Sequence, residues 1–187
     1  MTYEEMLMEA DNRGYIVKEK PLLMYDGRIK GKKIAIRDSI PTERQKAEIL
    51  LEELEHGNST CGDIMDLSIP LNRMQELRAR RRAFRRQVSF AAIISAYEAG
   101  CRNIYEMSEE LDITEEFLRN ALKMYAGKYG SKLIQCENYF IRFHPQLQVM
   151  KILGYNTDKK QKKESSEVVM VRRYSEENIK REFLKKE

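Results

Sequence analysis

Residues 41–62 read PTERQKAEILLEELEHGNSTCG, and the periodicity of this stretch sets the architecture expected for the chain. Thr42 followed by Gln45 is the spacing of a capping box, and Pro41 disfavours extending a helix backwards. Ala47, Leu50, Leu51 and Leu54 fall on one stripe about 100° wide, so the spacing predicts a helix over 42–57 with that stripe on a core and Gly57-Asn58 as its stop. Glu52 and His56, four apart, then share a flank of the stripe, with Glu53 between them and its apolar edge. One metal ion could touch both Glu52 and His56, and Glu53 would be placed to act as a base on water. The run Glu52-Glu53-Leu54-Glu55-His56 differs by its first residue from H-E-x-x-H, the zincin helix. A surface helix with solvated glutamates carries the same letters, so the neighbouring segments have to decide between the two readings.

The following helical segment supplies the next argument. Residues 72–87, NRMQELRARRRAFRRQ, offer Met74, Leu77, Ala83 and Phe84 for packing, and Glu76, Ala79 and Ala83 share a face. Alanines one and two turns beyond a glutamate permit close helix approach, which makes Glu76 the candidate third ligand. Arg78, Arg80, Arg81, Arg82, Arg85 and Arg86 read first as a solvated face, and they are also the best nucleic-acid feature of the chain. Cys61 lies five residues beyond His56; a buried free thiol is its ordinary reading.

Composition bounds the rest. With 187 residues the chain suits one domain with appendages, and 34 Lys plus Arg against 30 Asp plus Glu gives +4, short of the imbalance of a dedicated nucleic-acid binder. The N-terminal residues carry acids where a secretory leader needs a basic and then an apolar region. No apolar run reaches the length of a membrane span, so a cytoplasmic protein is expected. Cys61, Cys101 and Cys136 contain no C-x-x-C pair and argue against a disulfide framework.

Upstream, residues 2–13 have the period of a short helix ended by Gly14. Ile16-Val17 and residues 22–25 read as extended, Asp26-Gly27 as a two-residue turn, and residues 33–36 as an alternating strand, together a hairpin with a basic face. Its edge would lie beside the helix carrying Glu52. Downstream, residues 89–97 read as a helix ended by Gly100, and 103–111, 112–114 and 115–125 as helix, turn, helix. Glu115 and Glu116 open the second of these helices, where acids repel phosphate, so DNA reading is disfavoured. Residues 132–136 and 139–143 form a second predicted hairpin across Glu137-Asn138, with His144 at its end. Residues 156–167 have linker composition, followed by an apolar patch at 168–171 and a charged, helix-like end.

The motifs LLEELEH, GDI, NRMQELRARRRAF and AYEAGCRNIYEMSEELDITEEFL, in this order and spacing over roughly residues 1–150, resemble the ImmA/IrrE family of metallopeptidases, in particular a branch found in phages and mobile elements. The resemblance implies a zincin-like site with Glu52, His56 and Glu76 as ligands of zinc (or manganese, given two carboxylates) and Glu53 as the catalytic base. Glu52 stands where the family pattern has His, and Glu55 where Gly is common, which would put extra negative charge beside the site. The implied activity is endopeptidase cleavage of a helix-turn-helix repressor, or, with such a site, an anti-repressor that only binds its target. The expected fold is α+β and mainly helical: a zincin-like core over 1–87, a helical and hairpin subdomain with a helix-turn-helix-like pattern packed on it over 88–154, and a flexible charged tail over 155–187.

Overall fold

A computed structural model describes residues 1–59, 70–152 and 168–174. The fold is α+β, and the chain divides into two compact units, Met1–Ser89 with Leu111–Phe117, and Phe90–Glu110 with Leu118–Glu187. Cys61, the GDI motif, the linker at 156–167 and the charged end after Tyr174 lie outside the described residues.

The first unit opens with α1 (Tyr3–Asn12), started by a reciprocal box in which Thr2 accepts from the Glu5 N–H and Glu5 accepts from the Thr2 N–H. Three strands follow, β1 (Ile16–Lys20), β2 (Gly27–Lys30) and β3 (Lys33–Arg37), in the order β1-β3-β2. Sequence predicted an antiparallel hairpin turning at Asp26-Gly27; instead β1 runs parallel to β3, and the tight turn is Gly31-Lys32 between β2 and β3, with Gly31 at φ +57. Residues 22–25 are not a strand, and Gly27 opens β2. A parallel pair needs a crossover, and residues 21–32, containing β2, supply it. Ile34 and Ile36 of β3 point inward, while its lysine and arginine positions face outward or half outward.

α2 (Glu43–Ser59) is capped by Thr42, whose hydroxyl oxygen accepts from the Gln45 N–H at 3.2 Å and donates to Gln45 Oε1 at 3.0 Å. Ala47, Leu50, Leu51 and Leu54 are buried, as the stripe requires. Burial of each leucine contributes about 1.5–3 kcal/mol. Gly57 does not end the helix; it lies inside α2, where an added Cβ would meet the Tyr15 hydroxyl at 2.3 Å. Close packing, not a turn, is the reason for glycine there.

α3 (Pro70–Gln87) buries Ala79, Ala83 and Phe84, and Phe84 meets Phe117 edge-on at 4.9 Å. Met74 and Leu77, predicted to pack, are exposed. The turn 111–117 returns to this unit through two contacts with α2: Arg44 pairs with Asp112 at 3.0 Å, and Glu48 accepts from both the Thr114 backbone and its hydroxyl. Thr114 in turn caps α6 (Glu115–Tyr129) by accepting from the Phe117 N–H.

In the second unit, α4 (Phe90–Glu98) ends at Gly100, which adopts φ +92, and α5 (Ile104–Glu110) begins at Asn103, whose side chain accepts from the Glu106 N–H. The hairpin predicted across Glu137-Asn138 is present as β4 (Ile134–Cys136) and β5 (Tyr139–Arg142), with Glu137 at φ +52. Two further strands were not expected. β6 (Leu147–Ile152) pairs antiparallel with β5, and β7 (Val168–Tyr174), within the stretch predicted as tail, pairs antiparallel with β6. Phe90, Tyr125, Tyr129 and Phe143 form an aromatic cluster with ring centroids 4.8 to 6.2 Å apart. Among the described residues no helix is long and apolar enough to cross a membrane.

Candidate functional site

Ala79 and Ala83 carry no exposed surface, and that lack of bulk is what lets α3 lie close against α2. One turn before Ala79, Glu76 reaches across: its Oε2 is 3.0 Å from His56 Nε2. Glu52, one turn before His56 on α2, stands on the same side of the helix. Its Oε2 lies 3.6 Å from Arg80 Nε, and the other end of that guanidinium is 3.1 Å from Glu76 Oε1. The four residues singled out in the sequence therefore fall in one electrostatic cluster, with Arg80 added to it.

Glu53 faces β2. An added Cβ at Gly27 would meet Ile49 Cγ2 at 2.6 Å and Glu53 Oε1 at 2.8 Å, so only glycine permits this approach of strand and helix. The Ile29 backbone N–H donates to the same carboxylate. Among the described residues β2 is an outer strand of its sheet, and it runs beside Glu53.

The electrostatics of the cluster follow from burial and mutual charge. Burial pushes the Glu53 carboxyl up to about 7, helped by Glu76 and Glu52 and opposed by His56 and the Ile29 N–H. Burial also raises Glu52, against the pull of Arg80. For His56, burial works downward, but the hydrogen bond and charge of Glu76 with the charges of Glu53 and Glu52 outweigh it, and the net direction is up. Glu76 moves down because His56 bonds its carboxylate form. The pair is thus biased toward its imidazolium and carboxylate forms, while Glu53, near 7, sits where a carboxyl both takes and gives up a proton.

Glu55, expected to add charge beside the site, is buried and faces Arg86, 3.5 Å away, which also pairs with Glu9 of α1. Its charge is met there, and it is not among the groups that shift Glu52, Glu53, His56 or Glu76.

Among the described residues no three His, Cys, Asp or Glu side chains stand as a ready metal-holding group. His56 and Glu76 bond each other, and Glu52 and Glu76 both face the Arg80 guanidinium. The donor set nevertheless suits a borderline or hard divalent ion, with one imidazole nitrogen and two carboxylates. Arg80 marks the place of positive charge against both carboxylates.

Sequence reasoning put Arg80 on a solvated face and Gly27 in a turn, and it did not find the Ile29 N–H. Arg80 had a signal, being four residues after Glu76 on a helix, the spacing of an ion pair. Comparison with protein-family models, with characterised proteins and with solved structures returned no match.

Proposed function

We propose that the chain is a metal-dependent endopeptidase acting on a regulatory protein of the helix-turn-helix repressor type, with Glu52, His56 and Glu76 as ligands and Glu53 as general base. The observation that carries this reading is the convergence across α2 and α3 of His56 on Glu76, with Glu52 and Glu53 in the same charge cluster. The substrate class comes from the resemblance to the ImmA/IrrE family. Zinc or manganese held by this donor set would supply Lewis acidity toward a peptide carbonyl.

The chain's own residues would do the rest. β2 is the outer strand of its sheet among the described residues, and an extended peptide would lie along it next to Glu53. Glu53, with its carboxyl poised near neutrality by burial, takes a proton from the attacking water and passes it to the leaving amine. Gly27 and the Ile29 N–H hold that carboxylate in place. Ligation asks Glu52 and Glu76 to release Arg80, whose side chain is half exposed and free to swing into solvent.

A second reading has an observation of its own. Arg80 already answers the charge of Glu52 and Glu76, and a cluster closed in that way favours an anti-repressor that binds its regulator without cleaving it. The separating experiment is Glu53→Gln, which keeps shape and loses the base. Peptidase action requires this variant to retain fold and zinc while losing cleavage of candidate repressors and relief of repression in cells. Full relief of repression by Glu53→Gln would leave the binding-only reading standing and end the catalytic one.

A further inference from the structure

The phase of α3 sorts the six arginines that follow Glu76 into two groups. Arg80 and Arg86 turn toward the carboxylates already described. Arg78, Arg81, Arg82 and Arg85, at i, i+3, i+4 and i+7, are exposed on the opposite side, and none of the described ion pairs involves them. Within this set every neighbour on the helix surface is a like charge, an arrangement that costs helix stability. The same outward side, in the first half of the helix, presents Leu71, Met74 and Leu77, which are 60%, 49% and 45% exposed. The face is therefore graded along its axis: an apolar patch over the first two turns, then a stripe of guanidinium groups, about 20 Å in all at 1.5 Å per residue.

We propose that this outer face of α3 is a docking surface for an acidic amphipathic helix of a protein partner, one whose apolar residues cover Leu71, Met74 and Leu77 and whose carboxylates pair with Arg78, Arg81, Arg82 and Arg85. Charge complementarity names the sign of the occupant, and arginine accepts carboxylates in paired geometry. The apolar half decides between acidic occupants. Nucleic-acid backbone offers phosphate along its whole length and has no use for leucine and methionine beside the cationic stripe. A protein interface uses both, with methionine and arginine among its enriched residues. The inference does not depend on the metal chemistry, because none of these seven side chains belongs to the Glu52, Glu53, His56 and Glu76 cluster.

The test is a fluorescence anisotropy titration of the full chain against a labelled synthetic helix of about three heptads. The helix carries leucines on one face of its first half and glutamates on the same face of its second. Three comparison probes run alongside: the peptide with its leucines changed to serine, the peptide with its glutamates changed to glutamine, and duplex DNA of matched charge. The expected result is saturable binding of the parent peptide, weakened about tenfold or more by either peptide change. The protein variants R78Q/R81Q/R82Q/R85Q and M74S/L77S should weaken it to the same degree, with melting no lower than wild type for the arginine variant. Binding unaffected by the leucine-to-serine change, or tighter binding of DNA with a steep salt dependence, would overturn the proposal. So would an undiminished affinity of the arginine variant. Because these variants leave Glu52, Glu53, His56 and Glu76 untouched, loss of docking is separable from failure of the peptidase reading.

Discussion

Gly27 is the residue at which strand β2 and helix α2 come closest, and it fixes where the Glu53 carboxylate can be. Gly27→Ala inserts a methyl 2.6 Å from Ile49 Cγ2 and 2.8 Å from Glu53 Oε1, so strand, helix or carboxylate must shift. We expect a loss of about 1–3 kcal/mol in urea unfolding, the range of an overpacked contact. Under the peptidase reading, cleavage should fall about tenfold or more from the displaced base. Wild-type stability in this variant would show the strand to be less firmly seated than the structure has it. His56 gives a second expectation at this scale. Its imidazole is held above its ordinary 6.5 by the Glu76 hydrogen bond and by neighbouring carboxylates that outweigh burial. Protons then compete with zinc for the ring, so zinc affinity should strengthen as pH rises through and beyond that value. A zinc affinity independent of pH between 6 and 8, measured by competition with a chromogenic chelator, would remove His56 from the ligand set.

At the scale of elements, the α2–α3 contact rests on the two fully buried alanines. Ala83→Leu forces the helices apart, at about 1–3 kcal/mol, and should cost zinc affinity together with stability because Glu76 is carried away from His56. Retained zinc affinity in a destabilised Ala83→Leu would mean that the pair does not depend on this contact. The join between α2 and the start of α6 carries a pH signature. Burial outweighs the Thr114 hydrogen bonds and raises Glu48 from 4.5 to about 6. Its folded-state pKa is above the unfolded one, so the folded state binds more protons between those values. Glu48 therefore favours folding below about pH 4.5, and that contribution is lost as pH rises through 6, roughly 2 kcal/mol in total. In chelator-treated protein, the stability of wild type relative to Glu48→Gln should decline by about that amount between pH 4.5 and 7. A constant difference would show that Glu48 ionises normally.

How much of this was legible depends on the range of the interaction that decides each element. α2 was readable because its cap and stripe are local, and the approach of Glu76 to His56 because the alanines that bring α3 close lie within two turns of Glu76. The parallel pairing of β1 with β3 was not, since Asp26-Gly27 imitates a turn while Gly27 is needed for contact with Ile49 and Glu53 on another element. β6 escaped because its residues are almost all buried, so it lacks the alternation of a half-exposed strand. β7 finds its partner across a long charged stretch. The six arginines between residues 78 and 86 of α3 read as one basic run; only the helix phase divides the two that meet carboxylates from the four that face outward.

For the whole molecule, the proposal to test is that Glu52, His56 and Glu76, contributed by two helices of the first unit, hold a divalent ion beside Glu53 as the base. Zinc content after equilibrium dialysis of chelator-stripped full chain addresses it most directly, with wild type, Glu53→Gln, Glu76→Ala and His56→Ala treated side by side. The expected result is stoichiometric zinc in wild type and in Glu53→Gln, and its loss in Glu76→Ala and in His56→Ala. Wild-type protein that stays zinc-free under these conditions, or His56→Ala protein that binds as much as wild type, would contradict the claim.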